Sequence, residues 1–581
     1  MKNNKKIIAV AVAMCIMVSV LLAACKKDPE TVKQVVVVTD ENGVAYTDEN
    51  GNEITIVPEG VVVEVTNSKG EKVYDENGEV KTSVKYDSQL VGVPVTNKEG
   101  KAFTNSDGSW VTTKIWVPAT TGNTSSTIIT LPLTDSEGVT VTDGNGNIVT
   151  YSALSTASPV DPTPNSADYN SCFGGGGNDS FVDVASTPDG GFVALMTTTS
   201  KDGSLNGISS GYGDQNTALV KYDSDGKIEW KKFIGGNDGV SLMALDVNSA
   251  GDIVAAGYSK STDLGEKNYG NYDAVVYMFK PTGGESWFAS IGGTQSEAFN
   301  GVAFAPDGSV VVSGFSYSRD GTAKQFGIPK KESAAVIAKY SSSGKLQFTQ
   351  KVGSTADALY GIDVDSKGNI YSIGSFSSAT SNSIFTPYGK ADAGIVKFDK
   401  SGKVLWSYQL GGSKIDRFTS LIVNSKDEVI VVGRSESKDE SMEELKNYGG
   451  YDAVIAKLSA KGSLVWAKSF KGNYNDSFYD VCQGNNGYYV VGSSNSANRD
   501  FISVGNRGGL DGIVVKYSDS GEVQSVEGFG GSYDDEFRAV CVLNNNRVIA
   551  VGDTLSGDGD LVGSSVISTG GKTVGVVAKF Q

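Results

Sequence analysis

From Gly174 onward the chain repeats a unit of 57 to 61 residues seven times, and the series ends one strand short. Gly175, Gly236, Gly293, Ser354, Gly412, Asn473 and Gly531 hold equivalent places in the seven copies. Each complete copy finishes in an aromatic-rich strand that runs into a Gly-rich step, as in Glu229-Trp-Lys-Lys-Phe-Ile-Gly-Gly236. The seventh stops at Ala578-Lys-Phe-Gln581 without that strand. The segment Tyr169-Asn-Ser-Cys-Phe-Gly-Gly175, ahead of the first copy, is the missing piece. A circular array closed by its own N-terminal strand accounts for both ends together. A linear solenoid would instead need a distinct cap at each end.

Within a copy the pattern is four short strands. The third reads Phe299-Asn-Gly-Val-Ala-Phe304, a Pro306-Asp-Gly turn, and Val310-Val-Val-Ser-Gly314. After a long loop come Ala335-Val-Ile-Ala-Lys-Tyr340, a Ser-Ser-Ser-Gly344 turn and Leu346-Gln-Phe-Thr-Gln-Lys-Val352. Two tight hairpins around one long loop, repeated in a ring, remove the exposed sheet edges that short strands otherwise leave. The expected fold is all-β, a seven-bladed β-propeller over 169–581. The 72 glycines and the lack of long helical periodicity agree with many tight turns.

These copies resemble the seven-bladed propeller repeats of bacterial surface proteins, the SBBP repeats. The matching segments are Asp273-Ala-Val-Val276, Asp392-Ala-Gly-Ile-Val-Lys397, Asp452-Ala-Val-Ile-Ala-Lys457 and Asp511-Gly-Ile-Val-Val-Lys516, together with Trp230, Trp287, Phe348, Trp406 and Trp466. Ala334 and Val574 depart from the strand-leading Asp, and the seventh copy lacks the aromatic. The resemblance implies the fold and no particular activity.

The N-terminus carries an address. Residues 1–24 are Lys-rich, then apolar, and end in Leu22-Ala-Ala-Cys25. That order is a secretory signal, and its ending resembles the lipobox of bacterial lipoproteins. The resemblance implies cleavage before Cys25, acylation of that thiol, and a short tether over 25–31. The chain would then be lipid-anchored to the cell membrane on its extracytoplasmic, cell-surface side. An ordinary signal with an incidental Cys, or an uncleaved anchor, is the competing reading.

Residues 32–151 hold a looser repeat of β-branched runs broken by Asx-x-x-Gly, from Val38-Thr-Asp-Glu-Asn-Gly43 to Thr142-Asp-Gly-Asn-Gly146, which reads as stacked hairpins. Asp48-Glu-Asn-Gly-Asn-Glu53 lacks the ligand spacing of a calcium loop and reads as turn chemistry. Residues 152–168 are a Ser/Thr/Pro linker.

Composition prunes the functions. With no histidine, Ser-His-Asp and Cys-His catalysis and His-ligated zinc are out. Sixty-seven acidic against 50 basic residues give a net charge of −17, which repels nucleic acid. No cofactor or metal is expected. Cys172, Cys482 and Cys541 are too few and too widely spaced for a disulfide framework, and read as small buried apolar residues.

Two charged positions recur in six of the seven copies. One is an acid at the start of the first strand: Asp179, Glu297, Asp357, Asp416, Asp476 and Asp535. The other is a third-strand lysine: Lys221, Lys339, Lys397, Lys457, Lys516 and Lys579. Both are missing from the second copy, which has Val240 and Met278. Their shared exception suggests a same-blade ion pair with a structural role. The long loops between strands two and three should share a face with the Gly-rich steps, and several end in Tyr-Gly-x-x-Asp/Asn. Tyr212, Tyr269, Tyr272, Tyr388, Tyr448 and Tyr451 are therefore the candidate ligand contacts, against the alternative that the motif only shapes the loop. The functional expectation is a binding, adhesion or protein-interaction module for an extracellular glycan, peptide or protein. The alternative is a carboxylate enzyme acting on polysaccharide, which needs acids that break the repeat near the axis. Glu440, Glu443 and Glu444 break it only in a charged loop.

Overall fold

In this computed structural model the chain divides into two units, Met1–Thr163 and Pro164–Gln581. The second is described from residue 167 to 580 except at 207–214, 265–267, 330–331, 354–356, 378–383 and 563–570. In the first unit only short strands between Val32 and Ser155 are described, paired antiparallel, as in Thr127–Pro132 with Thr150–Ser155. Residues 1–31 with Cys25, the turn motifs between those strands and most of residues 152–168 lie outside the described residues. Among the described residues no helix is long and apolar enough to cross a membrane.

The second unit is seven four-stranded antiparallel sheets. Their first strands are Asp179–Ser186, Val240–Val247, Glu297–Phe304, Ala358–Val364, Asp416–Val423, Asp476–Gly484 and Asp535–Val542. Each first strand packs on the next, and the seventh packs on the first, so the blades form a ring. The seventh blade is closed as the sequence demands. Ala167–Phe173 lies antiparallel on Val574–Phe580, with Asn170 opposite Ala578 and Cys172 opposite Val576. The fold is a seven-bladed β-propeller.

Burial explains why each strand has its sequence. Third strands such as Asp273–Phe279 and Asp452–Leu458 are buried along their whole length, hence their continuous apolar runs. Fourth strands begin exposed and end buried, as in Leu464–Phe470. The outer aromatics clasp the neighbouring blade. Trp287 lies against Gly344 of the next blade's tight turn, where a side chain would collide with the ring, and its Nε1 donates to the Ser342 carbonyl at 3.0 Å. Trp230, Trp406 and Trp466 donate to Pro281, Ala460 and Asp519 in the same way. In the sixth blade Ser525 takes this place. The reason is topological: the seventh blade borrows its fourth strand and has no third-to-fourth turn to receive a ring.

Candidate ligand-binding face at the channel mouth

The Gly-rich steps and the long second-to-third loops share one face, as the strand directions require. Three parallel bridges, Tyr272 to Ser296, Ala391 to Ile415 and Tyr451 to Asn475, stitch loop to step.

The six repeated acids anchor this face. Asp416 accepts from the Gly412 amide at 2.9 Å and from the Ser435 and Ser437 hydroxyls. Asp535 does the same with Gly531, Thr554 and Ser556, and Glu297 accepts from the Gly293 and Ser318 amides and the Ser316 hydroxyl. In the second blade, where Val240 replaces the acid, the Ser259 and Ser261 hydroxyls turn to the Gly239 carbonyl instead.

The expected acid–lysine pair does not form. The acid begins the first strand, level with the start of the third, and the lysine lies five residues further along that third strand. At the rise of a β-strand that is roughly 16 Å, so the two occupy opposite faces. Lys221 pairs with Asp189 and Glu229, Lys339 with Asp307, Lys397 with Asp365, and Lys457 with Glu428 and Asp519, all on the tight-turn side. Lys516 lies over the Tyr489 ring, and Lys579 donates to the Ser224 carbonyl of the first blade. The common gap in the second copy is thus two separate local solutions.

The tyrosine motif divides. The amides of Tyr269, Tyr388 and Tyr448 donate to Asp273, Asp392 and Asp452, four residues on, which caps the loop before the third strand. Burial, then the neighbouring Glu297, pushes Asp273 up to about 6. Tyr272 packs edge-on against Tyr258, and Tyr451 carries the Arg434 guanidinium 4.3 Å above its ring. Tyr212 lies outside the described residues. Glu440, Glu443 and Glu444 form a short 3-10 turn with the acids outward, as a solvated loop would.

The residues that break the repeat lie where the sequence reading did not look. In all seven first strands the ladder skips one residue, a bulge between the second and fourth positions after the anchor. The skipped residues are Val182, Met243, Asn300, Tyr360, Thr419, Tyr479 and Arg538, none of them buried. Met243, Asn300 and Tyr360 join Phe315, Tyr317 and Asp357 around a hollow of about 480 Å³ at the channel mouth. Aligning the seven first strands and seeking the least repeated column would have found this ring.

Deeper in the channel stand four acids in two repeated pairs, Asp183 with Asp480 at one position and Asp246 with Asp363 at another. Each reaches the next blade, where Oδ2 accepts from the Leu245, Val540, Phe304 and Val423 amides respectively. The other oxygen takes the acid's own following amide in Asp183, Asp246 and Asp363, and the Ser420 hydroxyl in Asp480. Burial raises all four, Asp246 to about 6 and Asp363 to about 7. These acids occur in two copies at each position and serve as interblade clasps with both oxygens occupied.

The ring of blades, the channel and the loop-bearing face define a β-propeller scaffold. No protein-family model matches the chain. The regulatory protein FlaEY of Caulobacter vibrioides is 24% identical over 446 residues, which are 71% of this chain and 44% of that protein. The chain thus spans less than half that relative's length. Similar solved structures include the Pan2 WD40 domain of Neurospora crassa (TM-score 0.36, 8% identity, 70% of this chain and 97% of that one) and the polysaccharide lyase Uly1 (TM-score 0.35, 10% identity, 69% and 90%).

Proposed function

We propose that the propeller is a binding module whose long-loop face receives an extracellular glycan, peptide or protein, and that acylated Cys25 holds it to the cell membrane on the extracytoplasmic side. The observation that carries the reading is the distribution of exposed aromatics. Among the described residues the exposed tyrosines are Tyr317, Tyr388, Tyr448, Tyr474 and Tyr533, and every one lies on the long-loop face. Together with the unrepeated bulge residues at the mouth, they give one face of a rigid scaffold a varied, partly apolar lining, which is what recognition uses. The enzyme alternative has less support, because the four channel acids are each held by two hydrogen-bond donors. The net charge of −17 argues against a nucleic-acid partner.

A glycan and peptide array with residues 164–581 tests the reading. Binding without turnover, lost when Tyr317 and Tyr360 become Ala, is the expected result. Turnover of a bound polysaccharide would turn the assignment to the enzyme, and silence across the array would remove the support.

A further inference from the structure

We propose that Arg417 and Arg434, in the fifth blade, form an oxyanion site for the carboxylate or sulfate of an acidic saccharide. The inference rests on the binding-face reading above and names the chemistry that face selects. The two arginines stand directly opposite each other in the ladder between the first and second strands. Residues so paired point to the same side of the sheet, so two like charges share one spot, which ordinarily destabilises a sheet.

No other blade does this. The same pair of positions holds Ser180 and Thr197, Ser241 and Tyr258, Ala298 and Phe315, Ala358 and Ser375, Ser477 and Ser493, and Glu536 and Asp553. In the seventh blade the acids are neutralised, because Arg538 pairs with Asp553 at 2.6 Å and with Glu536 at 3.5 Å. Among the described residues no carboxylate lies within ion-pair distance of Arg417 or Arg434. A chain of net charge −17 has acids to spare, and its buried lysines Lys221, Lys339, Lys397 and Lys457 all have one.

The pair is also held ready. Arg434 stacks on Tyr451 and donates to Ser477 of the sixth blade at 3.4 Å, which fixes the plane of its guanidinium. Arg417 keeps a buried Nε without a hydrogen-bond partner. The Arg434 fork is held in plane, and two guanidiniums with no carboxylate partner suit an oxyanion, which can take two parallel bonds from a planar fork. Both residues stand at the loop-face end of their strands, one position past the anchor Asp416 and one before Ser435. A saccharide is favoured over a peptide by the mouth hollow, which the second to fourth blades line on the same face. Tyr317 and Tyr360 offer aromatic faces beside the amide of Asn300 and the carboxylate of Asp357 in the mouth hollow, a mixed lining suited to a ring with an apolar face and a hydroxylated rim.

Calorimetric titration of the full chain with a hexuronate oligomer, a sulfated oligosaccharide, a neutral oligosaccharide of equal length and an acidic peptide tests this. The expected result is that at least one anionic saccharide binds, which identifies carboxylate or sulfate as the source. Arg417→Met and Arg434→Met should each weaken it by about tenfold or more. Arg417→Lys, which keeps the charge without the fork, should weaken it less. Arg417→Met should not melt below the parent protein, since it removes a like-charge contact, whereas Arg434→Met also gives up its stack on Tyr451. Anionic saccharides bound equally by parent and variants, or neutral ones bound as well as anionic, would overturn the arginine site while leaving the binding face in place. Preference for the acidic peptide would overturn the saccharide. Variants that melt lower and lose every ligand alike would assign the arginines to structure. No binding here or on the array would sink the site and the binding-face reading together.

Discussion

Replacing Phe173 by Ala is the sharpest probe of how the ring holds together. Phe173 ends the borrowed strand and is 3% exposed, with its ring centroid 5.9 Å from that of Phe181 in the first blade. It belongs to a core cluster that joins the first and seventh blades through Val184, Ala539 and Val551. Removing a buried phenylalanine ring costs about 3–5 kcal/mol. The fifth blade supplies an internal control. Phe470 holds the same place at the end of its fourth strand, is equally buried, and packs on Phe478 and Phe501 at 5.9 and 4.8 Å. Its strand, however, is covalently continuous with its blade. Guanidinium titrations of both variants, followed by circular dichroism, should show comparable losses near 3 kcal/mol or above. In Phe173→Ala the slope should also fall, because a strand tied to its blade only by hydrogen bonds and packing releases before the rest. If Phe173→Ala cost less than about 1 kcal/mol while Phe470→Ala cost 3, the borrowed strand would not be closing the ring.

Further outcomes follow from the anchors, the clasps and the buried acids. Asp416→Ala strips a buried carboxylate from one amide and two hydroxyls, and should cost about 2–4 kcal/mol in the same titration. Trp466→Ala should destabilise by roughly 1–3 kcal/mol, whereas Ser525→Trp should gain little, because no turn of the seventh blade faces it. Asp246, Asp273 and Asp452 are raised to about 6, and Asp363, Asp476 and Asp511 to about 7, chiefly by burial. Between roughly pH 4 and 7 the folded chain therefore binds more protons than the unfolded one, and stability falls as pH rises across that window. Asp519, held down to about 2 by its hydrogen bond from Lys457, acts oppositely and loses its contribution only at lower pH. Thermal melts should thus peak near pH 4, at the lower edge of that window, and a maximum above pH 7 would contradict the burial argument. Cys25→Ser should abolish incorporation of labelled fatty acid and release the protein from the membrane fraction.

The ring was legible because its signals are repeated. The Gly-rich steps, the strand-leading acids and the outer tryptophans recur, and Tyr169-Asn-Ser-Cys-Phe173 matches the strand that Phe580 lacks. Repetition also misled. It joined Asp179 to Lys221 through a shared gap in one copy, although strand length sends the two to opposite faces. The repeat of the Tyr-Gly-x-x-Asp loops carries backbone capping, while Tyr388 and Tyr448 stay exposed on the same face. The mouth was hidden for the converse reason. Met243, Asn300, Tyr360 and Arg538 share no residue type, and they line up only once the bulge is counted. Nor did the sequence reading align the cross-strand register that sets Arg417 beside Arg434.

The binding face is tested most directly by footprinting. Hydroxyl-radical labelling of the propeller, with and without the strongest ligand from the array, reads side-chain protection residue by residue. Protection should concentrate at Met243, Tyr317, Tyr360 and Tyr479, with the outer-strand residues Ile228, Val404 and Leu464 unchanged. Protection of that outer rim or of the tight-turn face, with the mouth still fully labelled, would contradict it.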